Sequence, residues 1–184
     1  MNFSTNRLVI REFTEADVAP LTLQGSDPAV TEHMPWGPLN MIGAERLVKR
    51  AIQAQSTIPR TDYVMAVCLK STGALVGGGG LYIESLINRQ ASLCYWFGRA
   101  HWGQGYAIET LSALLELGFD EIGLHRMVAT CSAGNTRSSR VLERRGMRLE
   151  GRMRQDVWLR SEWRDSLLFA VLDFEWEAMK GRSS

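Results

Sequence analysis

The stretch HWGQGYAIET, His101 to Thr110, decides how this chain is read. Two glycines lie one residue apart, with the strand-like run LCYWF before them and a helix-like run after. Backbone N–H groups at a helix start are unpaired and carry partial positive charge, so such a turn suits an anion. Gly103 and Gly105 let the backbone turn sharply and approach the anion without a Cβ in the way, and Gln104 offers a side-chain donor. A tight strand-to-helix turn without a ligand is the competing reading. Two familiar phosphate loops do not fit. The dinucleotide fingerprint needs a third glycine or alanine where this chain has Ile108, and the P-loop needs Gly-Lys-Ser/Thr. The louder run GGGG, Gly77 to Gly80, precedes no helix and reads as a bulge or close backbone approach inside a strand.

Downstream of the loop, a helix is predicted from Tyr106 to about Phe119, with Leu111, Leu114, Leu115 and Gly118 on one face and Gly123 as its breaker. HRMVATCS is a strand, and a helix follows from about Asn135 to Arg145, ended by Gly146. MRLEGRMRQDVWL and DSLLFAVLDFEW are two closing strands with a turn near Ser161–Glu162. The passage 92–132 should form a right-handed parallel crossover. Upstream, RLVIREF is a strand, and Thr14 and Asp17 of TEAD open a short helix in the manner of a capping box. SDPAV starts another helix with Pro28 in its first turn, and MPWGP (34–38) is a loop. Ala44 to Gln55 is amphipathic, with Leu47, Val48, Ala51 and Ile52 on one face. YVMAVCL, ALVGGGGLYIE and ASLCYWF are strands separated by turns at Ser71–Gly73 and in SLINRQ. The expected class is α/β with a mixed sheet: an antiparallel meander, then a βαβα half with two closing strands. No repeat, low-complexity stretch or linker interrupts it, so one domain over 1–184 is expected.

Bulk properties narrow the partners. A chain of 184 residues suits one full core, and a net charge of +1 gives no basic field for nucleic acid. The apolar runs are far shorter than a membrane span. Charge interrupts MNFSTNRLVIREF within ten residues, so no signal-peptide pattern is present and a cytoplasmic location is expected. Cys68, Cys94 and Cys131 each sit in an apolar strand-like run and are expected as buried free thiols. His33, His101 and His125 stand apart from any metal-ligand spacing, so no metal is expected. A monomer or homodimer fits these properties.

The stretch YWFGRAHWGQGYAIETLSALLELGFDEIGLHRMVATCSAGNTRSSRVLERRGMRLEG resembles the core of the GNAT N-acetyltransferase superfamily. It is most similar to the branch named for the ribosomal-protein acetyltransferases RimJ and RimL. Trp102 to Ala107 matches the family loop Q/R-x-x-G-x-G/A except at its first position. A second block matches at Asn135, Ser138, Val141, Leu142, Glu143 and Gly146. The opening TNRLVIREFTEAD and the ending EWRDSLLFAVL also look like this branch. The resemblance implies that the anion is the pyrophosphate of acetyl-CoA, held by Trp102, Gly103, Gln104, Gly105, Tyr106 and Ala107. It implies that the strand Leu93 to Gly98, including Phe97, pairs with the pantetheine arm and splays from Met127–Ser132 to open a slot for the thioester.

Acetyl transfer needs a neutral amine, an oriented thioester, oxyanion stabilisation and a proton for the leaving thiolate. No Cys–His or Ser–His pairing is evident at these places, so direct transfer is expected. The resemblance assigns Ser138 to the leaving sulfur and Asn135 to coenzyme binding; a first-turn serine and a helix cap are the plainer alternatives. The tyrosine that many members carry seven residues after the asparagine is Leu142 here. RimJ-like members often have Glu where this chain has Ser92, and RimL-like members where it has Val157. Glu84 is then the candidate base, acting through water, or a solvated turn residue. Asp156 is expected on the sheet face opposite Val157, and Glu109 is read as structural. Arg137, Arg140 and Arg144 share a helix face; Arg137 or Arg140 meets the coenzyme 3′-phosphate, or the face is merely solvated. Trp36 is either a wall of the acceptor site or a core anchor. The expected activity is acetyl-CoA-dependent transfer to an amine, a peptide or protein α-amino terminus first. A small amine of aminoglycoside or polyamine type, and a CoA-binding module without catalysis, are the alternatives.

Overall fold

The computed structural model describes residues 1–181. Their contacts fall into two compact units, Met1–Tyr82 with Tyr95–Leu114, and Ile83–Cys94 with the chain from Leu115 onward.

The first unit is built on antiparallel strands. β1 (Asn2–Ser4) pairs with β2 (Leu8–Glu12), β2 with β3 (Asp62–Leu69), and β3 with β4 (Leu75–Ser85). β1, with three residues, is too short to show an alternation in the sequence. Period-two alternation sends Met65 and Val67 of β3 to one face and Ala66 and Cys68 to the other, and both faces are buried. One face meets α1 (Val18–Gly25) and α3 (Met41–Gln55) through Leu21, Ala44, Val48 and Ala51. The opposite face packs with Leu8, Ile10, Val76, Phe97 and Ala113, the last from α4 (Tyr106–Glu116).

Local signals explain the helix starts. The Thr14 N–H donates to Asp17 at 2.8 Å, as the TEAD pattern predicts. Asp27 Oδ1 accepts from the Ala29 N–H at 2.9 Å and caps α2 (Pro28–Thr31). α3 begins at Met41 rather than Ala44, because Asn40 Oδ1 accepts the Gly43 N–H at 2.9 Å and caps the helix four residues upstream of the predicted start. The GGGG run does serve a close approach. A Cβ on Gly77 would lie 2.3 Å from the Trp96 carbonyl oxygen, and one on Gly78 2.6 Å from the Trp96 indole nitrogen.

In the second unit, the first half of β5 (Gln90–Phe97) pairs in parallel with β6 (Arg126–Ser132), from Gln90↔Arg126 to Ser92↔Val128. β6 pairs antiparallel with β8 (Glu162–Leu172), and β8 with β7 (Arg148–Leu159). Between β6 and β7 lies α5 (Thr136–Arg144), and Gly146 follows it at φ +77°. α4 runs on into a π-helical turn, Leu117–Glu121, and Gly123 at φ +76° ends it as expected.

Three further expectations are corrected. DFEW does not extend the last strand: Glu175 accepts the Leu172 N–H at 3.1 Å and opens α6 (Asp173–Lys180), where Asp173 and Glu175 suit a helix N-terminus. The closing hairpin turns at Arg160 and Ser161, both left-handed, rather than at Ser161–Glu162. Cys68 and Cys131 are buried free thiols, but Cys94 is exposed, because alternation along β5 buries Ala91 and Leu93 instead. The register of β7 shifts between Met153 and Val157, with Gln155 left-handed at φ +51°, so simple alternation does not place Asp156. Among the described residues, no helix is long and apolar enough to cross a membrane.

Candidate active site

The glycine loop belongs to the first unit. Gly103 and Gly105 have φ of +74° and +81°, a region that side chains disfavour, and α4 begins at the next residue, Tyr106. A Cβ on Gly103 would meet nothing within 4 Å, so open space lies beside the loop at that point. The Glu109 N–H donates to the Gly105 carbonyl at 3.2 Å, closing the first helical turn. Trp102 hooks the loop to the strand before it: its indole N–H donates to the Phe97 carbonyl at 2.8 Å, and its ring packs on the Leu8–Ile10 core. Phe97 and Ala107 pack on that same core, and the Phe97 ring lies 6.4 Å from the Tyr106 ring. The Gln104 side-chain amide donates to the Ala100 carbonyl at 2.9 Å and braces the turn from within.

One residue of this loop's surroundings escaped the sequence reading. Arg7 donates through Nε to Glu109 Oε2 at 2.9 Å and through a terminal nitrogen to the Gln104 carbonyl at 2.9 Å. Its guanidinium lies 4.7 Å from the Tyr106 ring centre. Glu109 also accepts the Arg7 backbone N–H at 2.8 Å and the Thr5 hydroxyl. Burial alone would raise the Glu109 carboxyl, but the bonds from Thr5 and Arg7 outweigh it and hold the group below its usual range. Glu109 is therefore ionised and fully engaged, in agreement with its reading as structural. Both stretches that carry the contact, TNRL and YAIET, were visible in the sequence; their pairing was not.

Trp36, in the loop after α2, is half-buried against the Leu21–Val48 core and meets Trp96 edge to face at 5.7 Å. The contact gives the anchor reading a partner.

The second unit holds the remaining candidates. Asn135 caps α5, its Oδ1 accepting the Ser138 N–H at 3.1 Å. The Ser138 side chain hydrogen-bonds the thiol of Cys131 on β6. Burial pushes the Cys131 thiol up, the Ser138 bond pulls it down, and the Glu143 charge adds to the rise. The net effect is upward, so Cys131 is a protonated thiol at neutral pH and a poor nucleophile. Arg137 and Arg140 are exposed on α5.

Glu84, near the end of β4, is exposed, and its Oε1 accepts the Ser92 hydroxyl at 2.5 Å. Ser92 occupies the last rung of the parallel ladder with β6, whereas β6 continues to pair with β8 as far as Ser132↔Ser166. The Glu84 carboxylate thus lies at Ser92. Val157 and Asp156 lie on the exposed, bulged stretch of β7.

A family model described as an acetyltransferase (GNAT) domain matches residues 7–148. The chain is similar to YnaD of Bacillus subtilis (strain 168), an uncharacterized N-acetyltransferase, with 32% identity over 177 residues, 96% of this chain and 99% of that protein. It is similar to the crystal structure of a GNAT-family acetyltransferase from Bacillus anthracis, with 29% identity, a TM-score of 0.83, and coverage of 95% and 99% of the two chains. It also shares the fold of RimL, a ribosomal L7/L12 α-N-protein acetyltransferase in complex with coenzyme A, with 20% identity, a TM-score of 0.84, and coverage of 94% and 99%.

Proposed function

The chain belongs to the acetyltransferase (GNAT) family, and on that premise we propose that it takes acetyl from acetyl-CoA and delivers it to an α-amino group of a peptide or protein. The glycine loop carries the coenzyme half of this reading. Paired left-handed glycines at the start of α4, with open space at Gly103, form the kind of cradle a pyrophosphate enters. Acetyl-CoA supplies a thioester carbonyl already activated toward amines. That the shared fold includes an α-N-protein acetyltransferase in complex with coenzyme A is in keeping with this reading.

The residues then divide the work. Glu84 takes the proton of the acceptor amine through water, and Ser92 orients its carboxylate. Ser138, in the first turn of α5, serves the departing sulfur, where the helix N-terminus favours negative charge. Asn135 holds the Ser138 backbone in place. The raised Cys131 thiol argues against a covalent acyl-enzyme on that cysteine. Arg137 or Arg140, both exposed on α5, supplies the positive charge that meets the coenzyme 3′-phosphate.

An exposed carboxylate is a modest base, which favours an acceptor that is already partly neutral. An α-amine has a pKa of about 7.7–8.0, and a lysine ε-amine about 10.4. The test is release of free CoA thiol with a lysine-free peptide bearing a free N-terminus, against an N-blocked peptide with one lysine, beside a panel of polyamines and aminoglycosides. Turnover of the free N-terminus is expected. Turnover of small amines alone replaces the acceptor, and CoA binding without any turnover leaves a binding module.

A further inference from the structure

We infer that Arg7 is a positioning residue for the coenzyme loop, held by Glu109 so that it turns the Gln104–Gly105 peptide toward the pyrophosphate. The inference rests on the proposed coenzyme reading of that loop. Arg7 makes two different bonds with one planar group. One edge is paired with the Glu109 carboxylate, and the other donates to the Gln104 carbonyl at 2.9 Å. Across a trans peptide, the carbonyl of one residue and the N–H of the next point in opposite directions. Fixing the Gln104 carbonyl on Arg7 therefore turns the Gly105 N–H away from Arg7. That N–H belongs to the unpaired donors at the start of α4, the groups an anion uses.

The loop needs such a brace. Gly103 and Gly105 flank Gln104, both with positive φ, and glycine is the residue that most readily flips between basins. Without a partner for the Gln104 carbonyl, the peptide between them can rotate and present oxygen, not N–H, to the anion. Glu109 reports the same arrangement from the helix side. It accepts from Thr5, from the Arg7 backbone and from the Arg7 side chain, so the segment before β2 is tied to α4 at three points. The Arg7 charge is paired with Glu109, which makes Arg7 a holder of the loop and not itself a phosphate ligand.

The experiment compares two acyl donors, acetyl-CoA and S-acetylpantetheine, which lacks the pyrophosphate. Arg7→Ala should raise the KM for acetyl-CoA and the calorimetric Kd for CoA by about tenfold, the scale of one hydrogen bond to a charged group, with kcat little changed. Its kcat/KM with S-acetylpantetheine should match that of the unaltered protein. Arg7→Lys should not rescue, since one ammonium does not reproduce the planar fork across Glu109 and Gln104. Glu109→Gln keeps a carbonyl for Arg7 but loses the charge, and should move the acetyl-CoA KM the same way by less; it is the variant to use if Arg7→Ala fails to fold. Equal losses with both donors, or unchanged CoA affinity in the folded variants, overturn the inference. Absence of CoA binding in the unaltered protein overturns the coenzyme reading of the loop, and the inference with it.

Discussion

The Ser92 hydroxyl donates to Glu84 Oε1 at 2.5 Å, on the last rung of the β5–β6 ladder. Ser92 and Val157 stand where relatives of the resembled branch carry carboxylates, and this contact sets the Glu84 carboxylate beside Ser92. If Glu84 is the base, Glu84→Gln should cost on the order of 10²-fold in rate at neutral pH, while the coenzyme KM stays put. Ser92→Ala should cost less, because it removes only the group that orients the carboxylate. A loss under about threefold for Glu84→Gln in steady-state thiol release would assign the proton to water or another group.

Gly103 and Gly105 should answer differently to substitution. At Gly103 a Cβ touches nothing in the protein, so Gly103→Ala should cost the fold only the left-handed backbone penalty, about 1–2 kcal/mol. Its effect on CoA affinity should exceed that on melting, since the methyl enters the space given to the anion. Gly105→Val should weaken CoA binding by tenfold or more, about 1.4 kcal/mol or beyond, and also press on Arg7, whose terminal nitrogen would lie 3.3 Å from the new Cβ. Calorimetry on folded variants with unchanged affinity would remove the loop from the coenzyme site.

Ser138→Ala should lower kcat more than it raises the acetyl-CoA KM, as a role confined to the transition state requires. Asn135→Ala should behave otherwise. Losing the cap on the Ser138 N–H should cost about 1 kcal/mol of stability, read by thermal melting, and Asn135→Asp should restore most of it. A Ser138→Ala variant with intact kcat and a raised KM would make that serine a binding residue.

Acid stability should depend on the buried Asp17. Burial would raise its carboxyl, but the Arg11 fork at 2.7 and 2.8 Å and the Thr14 N–H outweigh that and hold it below the ordinary value of 3.8. A carboxyl lowered in the folded state binds its proton more weakly there than in the unfolded chain. Its stabilisation is therefore complete above the ordinary value of 3.8 and is lost as pH falls through the lower folded one. Asp17→Asn should destabilise by about 1–3 kcal/mol at pH 7, with part of the Arg11 charge still solvated. The gap to the unaltered protein should close below about pH 4 in denaturant titrations. A gap independent of pH would mean that shape and not charge holds the contact.

Much of this molecule follows from residues close together in the chain. The period-two runs of β3 and the amphipathic face of α3 mark their own burial, because side-chain direction is set by local geometry. The caps at Asp17, Asp27 and Asn135 join residues two or three apart, and the two glycines at 103 and 105 announce left-handed backbone by themselves. For the same reason the loop, its helix and Asn135 were legible before any coordinate. At DFEW two local signals compete: hydrophobicity reads as strand, yet the Glu175 cap and the acidic Asp173 turn the segment into α6.

The strand order and the register were decided by tertiary contact, and with them the chemistry of the site. Alternation in β5 says that Cys94 and Leu93 face opposite ways, but only packing shows that Cys94 is the exposed one. Glu84 meets Ser92 across a turn whose register no composition rule specifies. Arg7 meets Glu109 across 102 residues of chain, a contact that no local rule specifies. Sequence by itself determined what each short segment does, since backbone preferences and side-chain periodicity act within a few residues. Which segments supply the partners of the glycine loop and of Glu84 was settled by long-range packing, because hydrogen bonds between distant residues form only where packing has already placed their backbones.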